Sequence, residues 1–133
     1  ELSAIVIAGG IDLESLPEDK TLCHGSKSGR NFPVAGGVAS AIIAQCQKML
    51  QSNNEIPYAT ADTLAGCLKL LKDIKSGRLK PSPLLVEGMA CPFGCIGGPG
   101  TMSPLLKAKK CVNDFAQKAQ WELPSDYLTT DKE

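Results

Sequence analysis

Glu87-Gly88-Met89-Ala90-Cys91-Pro92-Phe93-Gly94-Cys95-Ile96-Gly97-Gly98 is the stretch on which the reading of this chain turns. Its two thiols stand four positions apart in a Gly/Pro-rich segment, directly after the apolar run Leu84-Leu85-Val86. A strand that ends in a sulfur-bearing, glycine-padded loop suits a soft metal or an iron–sulfur cluster, because thiolates favour both. Glycines let backbone amides approach a bulky inorganic ligand. The proline limits the freedom of the loop, so both sulfurs are directed toward one point. Cys-x3-Cys by itself is equally half of a zinc site, or an unligated turn.

Working outward, residues 84–87 read as a strand, preceded by a proline-bearing loop over 78–83. Before that loop, Leu64, Cys67, Leu68, Leu71 and Ile74 recur at helical spacing and predict a buried stripe. Thr60 is the expected N-cap of that helix, with Asp62 in its first turn, and Gly77 its stop. Ile56-Pro57-Tyr58-Ala59 reads as a short strand with its proline early, where a ladder donor is best spared. Strand, helix and strand in this order predict a parallel βαβ unit with a right-handed crossover. The cysteine loop then lies at the C-terminal end of the second strand, where open α/β sheets bind their ligands.

Further upstream, Gly36-Gly37 opens an amphipathic helix to about Gln51, with Val38, Ile42, Cys46, Met49 and Leu50 on one face. No Gly-Lys-Ser/Thr follows those glycines, so a phosphate loop is a poor reading. Residues 18–30 read as a polar surface loop. The run Leu2, Ile5, Val6 before Gly9-Gly10 suits a short helix, although Ile5-Val6-Ile7 equally suits a strand. Downstream, a helix is expected from Ser103-Pro104, with Leu105, Ala108, Val112, Phe115 and Ala119 inward. Beyond Trp121 the chain turns polar and is expected to be loosely ordered. Two strands are few for an α/β domain, and their edges are open to further pairing.

The chain has 133 residues, fourteen basic and fourteen acidic side chains and 5% aromatics, which argues against nucleic acid or an anionic membrane as partner. No apolar run has the length of a membrane span and no signal peptide is visible. Of six cysteines, Cys46, Cys67 and Cys111 fall on helical apolar faces and read as small buried hydrophobes rather than disulfide partners. Cys23 and His24 form a pair able to bind metal, but such a pair is ordinary in a polar loop.

The quoted stretch resembles the last of three cysteine signatures of the iron-only hydrogenases, through Glu87, Met89, Cys91, Pro92, Gly94, Cys95, Gly97 and Gly98. Phe32-Pro33-Val34-Ala35-Gly36-Gly37-Val38 is similar to the family's Phe-Gly-x-Thr-Gly-Gly-Val element, which opens a helix beside the cluster. The resemblance extends to about Lys109 and favours a helix at the N-terminus. It implies that Cys91 and Cys95 are ligands of the H-cluster, a 4Fe-4S cubane joined to a two-iron subsite. Cys91 would bind the cubane alone, and Cys95 would also bridge to the two-iron subsite. Phe32, Gly36, Gly37, Glu87 and Met89 would line the cofactor. Glu87 would accept amide hydrogen bonds from the cysteine loop or be an ordinary strand-end carboxylate. Met89 would be a polarizable wall or plain core filler.

The family's other signatures, Thr-Ser-Cys-Cys-Pro and Met-Pro-Cys, do not occur in these 133 residues. The expectation is therefore an α/β, βαβ-based piece of a hydrogenase-like H-cluster domain over residues 1–120, with a polar tail over 121–133. Expected partners are the rest of the hydrogenase polypeptide, with the upstream cysteine motifs, and a ferredoxin-like electron donor. In their absence the piece is expected to self-associate. The implied activity is the anaerobic, cytoplasmic interconversion of protons, electrons and H2, with this chain alone inactive. The alternative is a non-catalytic iron–sulfur sensory or Fe–S assembly protein. Phe93, where glycine is common, and Ala35, where threonine is common, mark departures from the family pattern.

Overall fold

Two parallel strands and the helix between them organise the structure, a computed structural model that describes residues 1–17 and 24–130. Strand β1 (Tyr58–Asp62) runs alongside β2 (Leu85–Met89), with Tyr58 opposite Leu85 and Asp62 opposite Met89. Pairing begins where Pro57, which has no N–H, accepts from Leu84 N through its carbonyl at 2.8 Å. The first strand thus starts two residues later than its apolar run suggests, and the second extends two residues further, to Met89. The fold is the expected mixed α/β arrangement: a small parallel sheet flanked by helices.

Around the sheet lie α1 (Leu2–Ala8), α2 (Lys27–Arg30), α3 (Gly37–Leu50), α4 (Leu64–Lys75), α5 (Leu105–Gln117) and α6 (Pro124–Thr130). The N-terminal run is a helix, with Gly9 at its C-cap. Helix α4 is capped by Thr63, not Thr60: the Thr63 side chain accepts from Gly66 N at 3.1 Å. Thr60 is instead a strand residue, and Asp62 ends the strand rather than starting the helix. At the other end Gly77 adopts φ +69°, so the chain leaves the helix in the left-handed region as a glycine permits. Helix α3 ends in Gln51 with φ 49°.

The buried centre is made of small residues: Ala39 and Ala41 on α3, Ala116 on α5, together with Ile96 and Leu123. They let α2, α3 and α5 approach closely. The sequence stripes are therefore displaced. On α3 it is Ala39 and Ala41 that face inward, while Ile42, Met49 and Leu50 are exposed. On α4, Cys67, Leu70 and Ile74 are half-buried against the sheet, while Leu64, Leu68 and Leu71 are exposed. Helix α5 keeps its expected face except that Ala116 replaces Phe115, whose ring lies under the Arg30 guanidinium at 4.2 Å.

The described residues that follow Trp121 are not loose. Lys27 N and Ser28 N donate to the carbonyls of Trp121 and Glu122 at 2.7 and 3.1 Å. Trp121 packs edge-on against Tyr127 at 5.1 Å, and His24 stacks on Trp121 at 6.1 Å. Lys48 pairs with Asp126 of α6. Polar composition concealed this order because the segment is held by backbone carbonyls and one aromatic cluster, not by an apolar stripe. Residues 18–23, and with them Cys23 of the Cys23–His24 pair, lie outside the described residues. The polar loop read over 18–30 contains the single-turn helix α2, capped by the Ser26 side chain accepting from Gly29 N at 3.1 Å.

Candidate metal centre

The cysteine loop leaves β2 at Met89 and enters a 3-10 turn over Cys95–Gly97. Gly94 N donates to Cys91 O at 3.1 Å, and Gly97 N and Gly98 N donate to Gly94 O and Cys95 O at 3.0 Å each. These bonds fold the loop into successive tight turns along residues 91–98. Cys91 is half-buried and Cys95 exposed, and both are free thiols.

A second strand-like segment braces the loop. Val34 and Gly94 form an antiparallel bridge. Ala35 N donates to Phe93 O at 2.9 Å and Ile96 N to Pro33 O at 3.3 Å. Gly94 is the residue that permits this approach. Its φ is +93°, and a Cβ there would stand 2.6 Å from both Ala35 N and Pro33 O and 2.8 Å from Met89 Sδ. The Phe32–Val38 element and the cysteine loop are thus joined through their backbones.

Glu87 ties in the helix behind them. Its two carboxylate oxygens accept from Gly36 N at 2.8 Å and from Ala39 N at 2.6 Å. An anion at a helix N-terminus satisfies otherwise unpaired amides and suits the dipole. The loop amides expected as its partners are not the ones it takes: Glu87 clamps α3 to β2 across the sheet. Gly36, with φ +88°, supplies the left-handed turn into α3. Gly37 is required because a Cβ would stand 2.0 Å from Asn31 O. Met89 is half-buried beside Gly94. Phe32 lines a cleft of about 210 Å³ with Ala41, Ile42, Gln45, Cys46 and Pro124.

Two residues given other parts by the sequence also belong here: Asp62, expected in the first turn of α4, and Cys67, expected on its apolar stripe. Asp62 Oδ2 accepts from Phe93 N at 2.7 Å. Phe93 sits between the cysteines with φ +60°, a conformation unusual for a residue bearing Cβ. The signal lay in topology: parallel strands end side by side, so an acid closing β1 neighbours whatever follows β2. Cys67 plugs the same end, its thiol directed at Met89 O (3.5 Å) and Ala61 O (3.7 Å).

The donor set fits an iron–sulfur group in part. Two thiols stand in a glycine-lined cradle whose close approaches leave no room for further side chains. Among the described residues no group of three or more His, Cys, Asp or Glu is assembled that would complete a metal site.

The fold and the loop define a class of structure: a parallel α/β unit that carries two free thiols in a glycine-rich loop at the C-terminal end of its second strand. The chain belongs to a particular family of that class: it matches the iron-only hydrogenase large subunit, C-terminal domain, over residues 1–99. The match takes in the whole cysteine loop and stops short of α5. A comparison with curated proteins finds no match.

Proposed function

We propose that this chain contributes Cys91 and Cys95 as two ligands of an H-cluster in an iron-only hydrogenase, and that the remaining ligands come from polypeptide beyond these 133 residues. The observation that carries this reading is the backbone bracing of the cysteine loop by residues 33–35 through Gly94. A mere turn has no need of a glycine packed that closely between two segments. When bound, the cluster supplies reversible electron storage and a metal site for the reduction of protons and oxidation of H2. The chain's own part is to hold. Cys91 and Cys95 bind as thiolates, Glu87 fixes α3 against the sheet, and Met89 contributes a soft apolar wall. Gly36 and Gly37 shape the neighbouring helix start, and Phe32 packs that element onto α3.

The exposed Leu64, Leu68 and Leu71 of α4 support the partner reading. In the parent these side chains are covered by the rest of the hydrogenase polypeptide, and in the isolated chain by a second copy. Cytoplasmic location and a ferredoxin-like donor complete the proposal. Among the described residues no helix is long and apolar enough to cross a membrane.

The decisive test uses the intact parent, purified anaerobically. Replacing Cys91 and Cys95 together by serine should remove the cluster's EPR signals and its hydrogen evolution from reduced methyl viologen. Undiminished signals in the double variant would end the reading. The chain alone, reconstituted with iron and sulfide, should show no turnover. A parent that holds its cluster but makes no H2 would instead be an iron–sulfur sensor or assembly protein, the reading toward which Phe93 in the ligand loop leans.

A further inference from the structure

The ligand loop carries a benzyl side chain at a backbone position that disfavours any Cβ. Phe93 adopts φ +60°, immediately before Gly94 at φ +93°. Glycine takes a positive φ freely, but a residue with a Cβ holds one only where the surrounding structure over-determines it. The structure shows such support on both sides of residue 93. Its carbonyl accepts from Ala35 N at 2.9 Å, and its amide donates to Asp62 Oδ2 at 2.7 Å.

Asp62 is well suited to the task. It is the last residue of β1, paired in register with Met89, so its backbone is fixed by the sheet that also launches the cysteine loop. The next residue, Thr63, has φ +62° and caps α4, so the chain turns sharply away directly after Asp62. That turn leaves the carboxylate facing the loop. A charged acceptor gives a shorter and stronger bond to an amide than a neutral one does.

We propose that Asp62 is the positioning residue for the Cys91–Cys95 loop: by holding the Phe93 amide it fixes the left-handed turn that aims the two thiolates. This rests on the reading of Cys91 and Cys95 as metal ligands and adds to it a residue from a different strand. Asp62 stands in for the conformational freedom that glycine at position 93 would supply. The two positions are therefore coupled: an acceptor oxygen at 62 is needed because residue 93 has a side chain.

Two measurements on the 133-residue chain test this, with Asp62→Ala, Asp62→Asn and Phe93→Gly as variants. The first is amide hydrogen exchange at residue 93 in the metal-free protein. Exchange should be slow in the native chain and in Asp62→Asn, which keeps an acceptor oxygen, and fast in Asp62→Ala. Unchanged exchange in Asp62→Ala would overturn the proposal whatever the fate of the metal reading. The second is titration with Co²⁺, followed by the thiolate-to-cobalt charge-transfer band. Asp62→Ala should weaken binding by about tenfold, the usual scale for loss of a group that orients a ligand. Asp62→Asn should restore most of that affinity. In a Phe93→Gly background the Asp62→Ala effect should shrink to less than half, because glycine takes the turn unaided. Equal losses in both backgrounds would refute the coupling and with it the positioning role. Absence of any thiolate band in the native chain would count against the ligand reading itself and remove the role with it, while the exchange result reports separately on the clamp. Far-ultraviolet circular dichroism of each variant confirms that the helices persist.

Discussion

At the scale of single residues, the site is governed by where Cβ atoms are allowed. Gly94, Gly97 and Gly37 sit where an added Cβ would meet backbone atoms at 2.6, 1.9 and 2.0 Å respectively. Gly94→Ala should therefore destabilise the chain by more than the roughly 1 kcal/mol typical of a misplaced alanine at positive φ, since it also breaks the bridge to Val34. Urea unfolding followed by Trp121 fluorescence measures this, and a loss under ~0.5 kcal/mol would count against the bracing. Phe93 presents the reverse case. The residue is 38% exposed, so its ring keeps much of its area from water, while its left-handed backbone costs roughly 1–2 kcal/mol for any L-residue. Phe93→Gly sets the lost ring burial against the relieved backbone and should change the urea-unfolding stability by less than about 1 kcal/mol. The glycine-rich dithiol loop was legible in sequence because it is a contiguous run of turn residues and thiols. Asp62 was not, because its partner lies 31 positions away and only the parallel pairing of the strands brings them together.

At the scale of elements, the helices are placed by side chains that reach across to another element. Glu87 fastens β2 to the N-terminus of α3. Glu87→Gln keeps the shape but supplies only one acceptor oxygen and turns an amide donor toward a donor. A loss of about 1–2 kcal/mol is expected from the capping and dipole terms together, measured by urea unfolding, with faster exchange at the amides of Gly36 and Ala39. Thr63→Ala should cost about 1 kcal/mol as a lost cap, and Thr63→Gly less, because glycine also relieves φ +62°. Helix α6 is tied to α3 by charge. The Asp126 carboxyl is held below its usual value of 3.8, chiefly by hydrogen bonding to the Lys48 ammonium and then by the Leu123 amide. A carboxyl with a depressed folded pKa stabilises above its unfolded value and loses that contribution as pH falls through the folded one. The Trp121–Tyr127 contact should therefore loosen below about pH 4 and stay unchanged from pH 5 to 7. Trp121 fluorescence checks this, and in Asp126→Asn the acid transition of that signal should disappear. The apolar periods correctly gave the existence and type of α3, α4 and α5, whereas for α1 they suited helix and strand equally and the family resemblance favoured the helix. They misplaced the cap of α4 and missed α6, whose order comes from carbonyl contacts and an aromatic cluster that polar composition hides.

At the scale of the whole molecule, the described structure has an interior of small side chains and an outside carrying much of its leucine. Leu64, Leu68 and Leu71 are 69%, 58% and 57% exposed and stand on one face of α4. A patch of that kind ordinarily marks an interaction surface. The isolated chain should self-associate at micromolar to millimolar concentration. Replacing these three leucines by glutamine should return it to a monomer without lowering its urea midpoint, because they are not part of its core. Sedimentation velocity and urea unfolding together decide this. A native chain that stays monomeric throughout would remove the self-association proposal.

Sequence alone determined the βαβ order, the parallel sheet that follows from it, and the dithiol loop at the end of the second strand with the family it signals. These are local matters of period, turn residues and thiol spacing, and each is written within a short window of chain. Which faces are buried, which amides the Glu87 carboxylate takes, and that Asp62 holds the loop were decided only by tertiary structure. They depend on how closely α2, α3 and α5 approach over their alanines and on which strand ends meet. Such choices are made between segments, by the volumes and hydrogen-bonding groups that folding brings together, and no window of sequence contains both sides of the contact.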